Sequence, residues 1–427
     1  MRILLVAFYF PPAGGGGVQR TLKFCKFLPD HGIDVHVLTP EDPKWFAIDE
    51  GLLEAVPAST VVHRVRFLGP RAASRADALH GASGRERLGV EARFAFERML
   101  VPDKAAPWLA TAVPAGIRVV RREQIDVIVS TSPPTSSHLV AEAIAAATGM
   151  PLVADFRDSV LDNPHRSYEK AGVRAKRAVT RRMLRSVAGR AAAVTTATGA
   201  IADEVAGVHP SARAKTTVIE NGADFDDFDS IPHEATDRFT IVHAGSFFGQ
   251  RTPKPFLRAL TAMLERRPDL QGRVLARFVG ELREEDRAFA RGLGIDDAWH
   301  EDGFLTYTAA LRAQREADAL LLLIPHAGGR GDTVLSGKLF EYIAARRPVL
   351  AAVPPNGQAA KLINDLGAGE VVDSDDVPAM AAALEQLADR WADGGLADLT
   401  VDDSVRTRLS RASRTAELAA VLHEVSA

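Results

Sequence analysis

The sequence predicts an α/β protein of two domains, each a parallel sheet with helices on its faces. Two stretches carry this reading. Ile3 to Phe8 is a short apolar run followed by four glycines and an amphipathic segment, roughly Val18 to Asp30, which reads as buried strand, loop and helix. Ala319-Leu-Leu-Leu-Leu-Ile324 is a second such run. It is followed by Asp332-Thr-Val-Leu-Ser-Gly-Lys-Leu-Phe-Glu341, a glycine-containing loop that enters a helix at about Ser336. That helix cannot outlast Arg347, because Pro348 disfavours the α conformation of the residue before it. Val349 to Val353 then reads as another buried strand, so strand, loop, helix and strand form a parallel crossover unit. A chain of 427 residues has room for two or three such domains.

Composition excludes several classes. Apolar residues at 46% and charged ones at 25% are ordinary globular values, which removes disordered and fibrous chains. A net charge of −3 gives no drive toward nucleic acid. One cysteine, Cys25, forbids an internal disulfide, and among Leu22, Phe24 and Leu28 it reads as a buried structural thiol. No apolar run approaches the roughly 18 residues of a membrane span. Met1-Arg-Ile-Leu-Leu-Val-Ala is too short and wrongly flanked for a signal peptide, so a cytoplasmic protein is expected.

A loop at the carboxyl end of a parallel strand, leading into a helix whose free amides point at it, is where an anion sits. The Asp332 to Glu341 stretch has this form. Lys338 adds a positive charge in the first turn and Glu341 a carboxylate for hydroxyl donors. It is not a Walker-type loop, because Gly331 lies six residues before Gly337 and Leu339 replaces the hydroxyl that holds magnesium. The first loop, Phe10-Pro-Pro-Ala-Gly-Gly-Gly-Gly-Val-Gln-Arg20, lets the backbone approach a ligand closely at Gly16 and Gly17. It is not a dinucleotide fingerprint, since position 19 is Gln and Val35-His-Val-Leu-Thr39 ends without an acid.

Residues 64 to 100 are rich in Arg and Ala and read as inserted helices and loops. Val127 to Ser130 and Leu152 to Asp155 read as strands, the first running into a polar loop that ends at His138. Asp155, Arg157 and Asp158 then fall at a carboxyl edge, where open α/β sheets bind ligands. From Arg166 to Arg190 there are nine Lys or Arg and a single acid, Glu169. Arg174, Arg177, Arg181 and Arg185 share one face, which suits either contact with an anionic membrane or plain solvation. Val194 to Ala197 and Thr216 to Ile219 complete the first sheet, and Asn221-Gly-Ala-Asp224 closes it. Phe225 to Asp237, acidic and aperiodic, reads as the linker. Asp224-Phe-Asp226 matches an Asp-x-Asp metal motif only in letters, lying after an Asn-Gly turn. Phe239 to Ala244 opens the second domain and leads to Gly245, Arg251 and Lys254. Val274 to Gly280 and Glu301 to Leu305 bracket a further unit.

Ser336-Gly-Lys-Leu-Phe-Glu-Tyr-Ile-Ala-Ala-Arg-Arg-Pro-Val-Leu-Ala351 resembles the donor-site helix of the family-4 retaining glycosyltransferases. The first glycine loop, Val101-Pro-Asp103 with Pro107-Trp108, Asp155-Phe-Arg-Asp158 and Val218-Ile-Glu-Asn-Gly-Ala-Asp224 are similar to the same family. The likeness spans about residues 3 to 390. It implies a GT-B fold, two Rossmann-like α/β/α domains facing each other across a cleft: 1–224 on the acceptor side, a linker at 225–238, and 239–400 for the nucleotide sugar. A C-terminal helix in 401–427 would pack back on the first domain. It implies retaining transfer of a glycosyl group from a nucleotide diphosphate sugar, with no metal and no other cofactor, to a sugar, lipid-linked or small-molecule acceptor.

On this resemblance the donor contacts are Gly16, Gly17, Gly245, Asp332, Thr333, Ser336, Gly337, Lys338, Leu339 and Glu341. Arg251, Lys254 and Asp158 carry the catalytic roles, and His138, Arg157 and Asp155 face the acceptor. Three departures stand out. The family often has a Glu eight residues before Glu341, where this chain has Thr333. Arg346 replaces a usual Gly, and Arg251 and Lys254 are spaced unusually from Gly245. A sugar-nucleotide epimerase or phosphorylase, or a non-catalytic binding scaffold, remains as the alternative.

Overall fold

The structure is a computed structural model; it describes the chain apart from residues 44, 46, 71–82, 163–170, 235 and 395. The described residues divide into two compact units: 1–162, 171–220 and 414–427 make the first, and 221–413 the second.

The first unit is a parallel sheet. Its strands are β1 (Arg2–Val6), β2 (Asp34–Glu41), β3 (Val61–Arg66), β4 (Val127–Ser132), β5 (Leu152–Phe156), β6 (Ala193–Thr196) and β7 (Thr216–Val218), in the order β3-β2-β1-β4-β5-β6-β7. The predicted strands are present. β3 is a correction, because Arg64, Val65 and Arg66 lie in a strand paired with β2 rather than in an inserted loop. It is an edge strand with its residues at most half-buried, so its side chains make no apolar run. Helix Gly84–Met99 supplies the rest of the described insertion. Both faces of the sheet are covered. Val6, Ile128 and Phe156 pack against Val140, Ile144 and Leu184 on one side. On the other, Ile3, Leu5 and Val129 belong to one core with Phe24, Leu28, Leu418 and Leu422. The last pair comes from helix Arg411–Ser426, whose residues from 414 on belong to this unit.

The second unit repeats the architecture. Strands β8 (Phe239–Ala244), β9 (Val274–Val279), β10 (Trp299–Gly303), β11 (Ala319–Leu323), β12 (Val349–Ala352) and β13 (Gly369–Val372) run parallel in the order β10-β9-β8-β11-β12-β13. The segment read as a linker is a correction. Phe225, Phe228 and Ile231 are buried in this unit's core with Leu320, Phe340 and Ile343. Their spacing of three puts them on one side of the short turn Asp226–Asp229, and the surrounding acids hid that pattern. The segment Asp403–Leu409 also belongs here, with Leu409 in the same core.

In each sheet the strand order reverses beside the first strand, between β1 and β4 and between β8 and β11. Loops leaving the carboxyl ends of strands at such a point diverge and leave a crevice. In the second unit the diverging loops begin at Gly245 and at Ile324.

Candidate functional site

β8 ends at Ala244, and Gly245 follows with φ 123°, a conformation few residues other than glycine adopt. A Cβ at Gly245 would lie 2.3 Å from the Lys338 Nζ and 2.5 Å from its Cε. The glycine is therefore the space that the lysine occupies. Lys338 is the second residue of helix Gly337–Ala344, with Ser336 as the residue that caps it. Its ammonium donates to His243 Nε2 at 3.3 Å. The His243 ring is buried, 1% exposed, and its Nδ1 donates to the Leu321 carbonyl at 2.8 Å. These two bonds assign the tautomer, with a proton on Nδ1 and a lone pair on Nε2 facing the lysine.

Arg251 completes the cluster. It is 7% exposed, its guanidinium stacks over Phe248, and its Nε has no hydrogen-bond partner. Among the described residues neither Arg251 nor Lys338 forms an ion pair. Burial lowers the proton affinity of Arg251. Burial, then the charge of Arg251, hold Lys338 well below the usual lysine range. His243 is pushed well below its ordinary value by burial and then by Lys338 and Arg251, so it is neutral at pH 7. Glu341 partly opposes the effect of Arg251 on Lys338 but forms no ion pair with it among the described residues, and two cations held together beside a helix amino terminus suit an anion.

Glu341 lies one turn along the same helix. Its carboxylate accepts from Arg411 Nη2 at 3.1 Å, and Arg411 Nε donates to the Gly222 carbonyl. Burial raises the Glu341 pKa; Arg411 and a hydrogen bond from Gln314 oppose that rise.

The other predicted donor residues divide. Asp332 and Thr333 end the turn Ala327–Thr333 and are exposed, the Thr333 hydroxyl donating to the Arg330 carbonyl. Ser336 makes no side-chain cap. Leu339 is a correction: its side chain is 0% exposed in the core and its amide donates to the Ser336 carbonyl, which leaves it nothing for a ligand. Lys254 is also committed elsewhere, 3.7 Å from the buried Asp286 and over the Phe289 ring. Arg346, standing where the resemblance expects glycine, adopts φ 57°, the left-handed conformation that glycine takes without cost.

In the first unit, Gly16 and Gly17 begin helix Gly16–Phe27, and no atom lies within 4 Å of a Cβ built at Gly16. Arg157 Nη1 donates to the Gly17 carbonyl at 2.5 Å, and Asp158 is exposed, 3.9 Å from Arg157. Asp155 is a correction. Parallel register sets Thr131 and Thr195 on either side of it, and both hydroxyls donate to its carboxylate at 2.8 Å. Arg20 adds a bidentate pair at 2.8 and 3.1 Å. Burial would raise the Asp155 pKa, but Arg20 and these hydrogen bonds hold it below the usual carboxylate range. It is a saturated structural anchor, 1% exposed, not a surface for an acceptor. His138 is likewise internal, 0% exposed, with Nδ1 bonded to Ser130 Oγ at 2.7 Å and its pKa lowered by burial to about 3.

With the geometry in place, residues 15–222 match a model described as a glycosyl transferase 4-like domain. No curated protein matches the sequence. Solved structures match over nearly the whole length. A glycosyltransferase from Rickettsia africae is 13% identical with a TM-score of 0.61, over 99% of this chain and 98% of that one. HepE from Anabaena, in complex with UDP-glucose, is 14% identical with a TM-score of 0.56, over 100% and 98%. A protein titled a UDP-N-acetylglucosamine 2-epimerase from Listeria monocytogenes is 11% identical with a TM-score of 0.57, over 99% and 96%. The chain has the GT-B fold, and residues 15–222 match a glycosyl transferase 4-like domain. Sequence reasoning named Lys338, Arg251 and Gly245, which the structure brings together; it did not name His243 and Arg411, which bond to Lys338 and Glu341. The signal for His243 was a lone ionisable residue in the otherwise apolar strand Phe239–Ala244.

Proposed function

We propose that this protein is a glycosyltransferase and binds the diphosphate of a nucleotide diphosphate sugar between Arg251, Lys338 and the amino end of helix Gly337–Ala344. Glu341, held by Arg411, then takes the ribose hydroxyls, and Asp332 and Thr333 border the sugar. The observation that carries this is Lys338 packed on Gly245 with Arg251 close enough to act on it, neither of them in an ion pair among the described residues. In the reaction the bond from the anomeric carbon to the diphosphate breaks, and its electron pair leaves with the diphosphate. Arg251 and Lys338 offset that added negative charge from fixed positions. The acceptor hydroxyl oxygen bonds to the anomeric carbon, and its proton passes to the departing diphosphate oxygen. Retention of configuration and independence from metal follow from the family-4 resemblance, and synthesis of a polysaccharide, glycolipid or glycosylated metabolite is the fitting setting.

Asp224 and Asp226 do not make a metal pair, since Asp224 is buried and Asp226 is exposed, 3.7 Å from Arg406. Among the described residues His326, Asp373 and Asp375 do bring ligand atoms within 4.8 Å of one another. His326 and Asp373 already share a hydrogen bond of 2.9 Å. Activity is therefore expected to persist in chelator. Loss restored by magnesium or manganese would overturn metal independence and direct attention to that trio.

The test of the reading itself is calorimetry with nucleotide diphosphates, followed by a donor screen scored by their release with and without acceptors. Tight binding with acceptor-dependent release supports the proposal. Conversion of the nucleotide sugar to its epimer without an acceptor would make this an epimerase. Absence of any nucleotide binding would leave a scaffold.

A further inference from the structure

Helix Gly84–Met99 in the first unit has an apolar face on each side. Its start is fixed by a reciprocal cap between Ser83 and Glu86. One side turns inward through Phe94 and Glu97, 8% and 3% exposed. Lys104 pairs with Glu97 at 2.6 Å and lies over the Phe94 ring. At 100° per residue the opposite side is Leu88, Ala92, Ala95, Phe96 and Met99. Leu88, Phe96 and Met99 are 71%, 57% and 77% exposed, and both alanines are exposed. Scattered surface leucines are ordinary, but three large apolar side chains along one outward helix face mark a surface that something covers.

Charge identifies the partner. Residues 1–220 and 414–427 carry 30 Lys and Arg against 24 Asp and Glu, whereas 221–413 carry 22 against 31. The helix-bearing unit is thus positive within a chain whose net charge is −3. Arg85 and Arg87 are exposed at the start of the helix. A positive surface disfavours a second copy of itself and favours an anionic one. No helix among the described residues is long and apolar enough to cross a bilayer. A helix of this kind lies along a membrane surface instead.

The sequence pointed to the basic segment 166–190 for such contact, and residues 166–170 lie outside the described ones. Helix Ala171–Arg190 suits the role less well. Its apolar residues Leu184, Val187 and Ala188 are buried in the core. Arg177 is bonded to the Leu161 carbonyl and Asp162, and Arg181 to the Gly207 carbonyl. Val179 is its one large exposed apolar side chain among the described residues.

We propose that helix Gly84–Met99 is a peripheral anchor that lays Leu88, Ala92, Ala95, Phe96 and Met99 into the surface of an anionic lipid bilayer, with Arg85 at the headgroups. The site is separate from the donor residues and does not depend on their assignment.

The experiment is co-sedimentation of the full chain with phosphatidylcholine vesicles, with and without about one third phosphatidylglycerol. The parent is compared with the triple variant Leu88→Ser, Phe96→Ser, Met99→Ser, checked for native circular dichroism. The parent should bind the anionic vesicles, and the variant at least tenfold more weakly. In a second measurement the variant Phe96→Trp should show a blue shift and quenching by brominated lipid. This reads insertion even where the triple variant fails to fold. Equal binding by parent and triple variant, or no quenching of the tryptophan, would overturn the proposal. So would a concentration-dependent dimer of the parent that the triple variant abolishes, which would make the face an interface between copies.

Discussion

Replacing Lys338 by methionine separates the anion site from the rest of the fold. The lysine is only partly exposed and shares its surroundings with Arg251 and a neutral His243. Without an anion its charge has one long hydrogen bond to a neutral acceptor and a second cation nearby, whose effect exceeds that of the Glu341 carboxylate. Methionine keeps most of the stem and removes the charge. The ligand-free variant should gain about 0.5–2 kcal/mol of stability, the usual exchange when an active-site group is relaxed. Nucleotide diphosphate binding should lose a charge-assisted hydrogen bond, about 1.5–3 kcal/mol, or roughly 10- to 100-fold in Kd. Urea unfolding without nucleotide measures the first effect and calorimetry the second. The pH dependence has a defined sign. The folded-state pKa of Lys338 lies below its unfolded value, so protonation opposes folding at any pH below the folded pKa. This penalty fades as pH rises from the folded toward the unfolded value. The stability advantage of the variant should shrink correspondingly. A variant that binds nucleotide diphosphate as tightly as its parent and is less stable would refute the reasoning and make Lys338 a structural residue.

Gly245→Ala should impair the same site from the other side. The new Cβ displaces the Lys338 ammonium, and φ 123° strains any non-glycine residue by about 1–3 kcal/mol; unchanged donor affinity in the folded variant would count against the packing of glycine on lysine. Glu341→Gln keeps the shape but drops the charge opposite Arg411, so donor affinity should fall about tenfold while circular dichroism stays native; equal affinity would remove Glu341 from the ribose. Asp155→Ala leaves Arg20 buried and unpaired, and should cost about 3–5 kcal/mol in urea unfolding. The folded pKa of Asp155 is depressed, so its contribution is present above the ordinary carboxylate range near 3.9 and lost as pH falls through the folded value. A parent-minus-variant stability difference that does not shrink on acidification would contradict this.

The difference between what the sequence disclosed and what it concealed follows from the range of the forces involved. β8 and β11 were legible because a strand buried on both faces is apolar throughout. The residue after such a strand is then fixed in space, which is why Gly245 could be named. β3 escaped because an edge strand needs no apolar run, and Phe225 and Phe228 escaped because acids separate them. Asp155 was misjudged for a different reason. Its position at a strand end was right, but its role depends on how many donors reach it. Those donors come from Thr131, Thr195 and Arg20, which are 24, 40 and 135 residues away in the chain. Lys338 and Arg251 are the converse case, ionisable groups that form no ion pair among the described residues, and the effect of Arg251 on Lys338 outweighs that of Glu341. Local pattern therefore places a charged side chain at an edge, and the fold decides its role by satisfying it or leaving it unsatisfied. That criterion moves Asp155, His138 and Lys254 out of the candidate site. It keeps Arg251 and Lys338, and it adds His243 as the neutral acceptor that holds the lysine over Gly245.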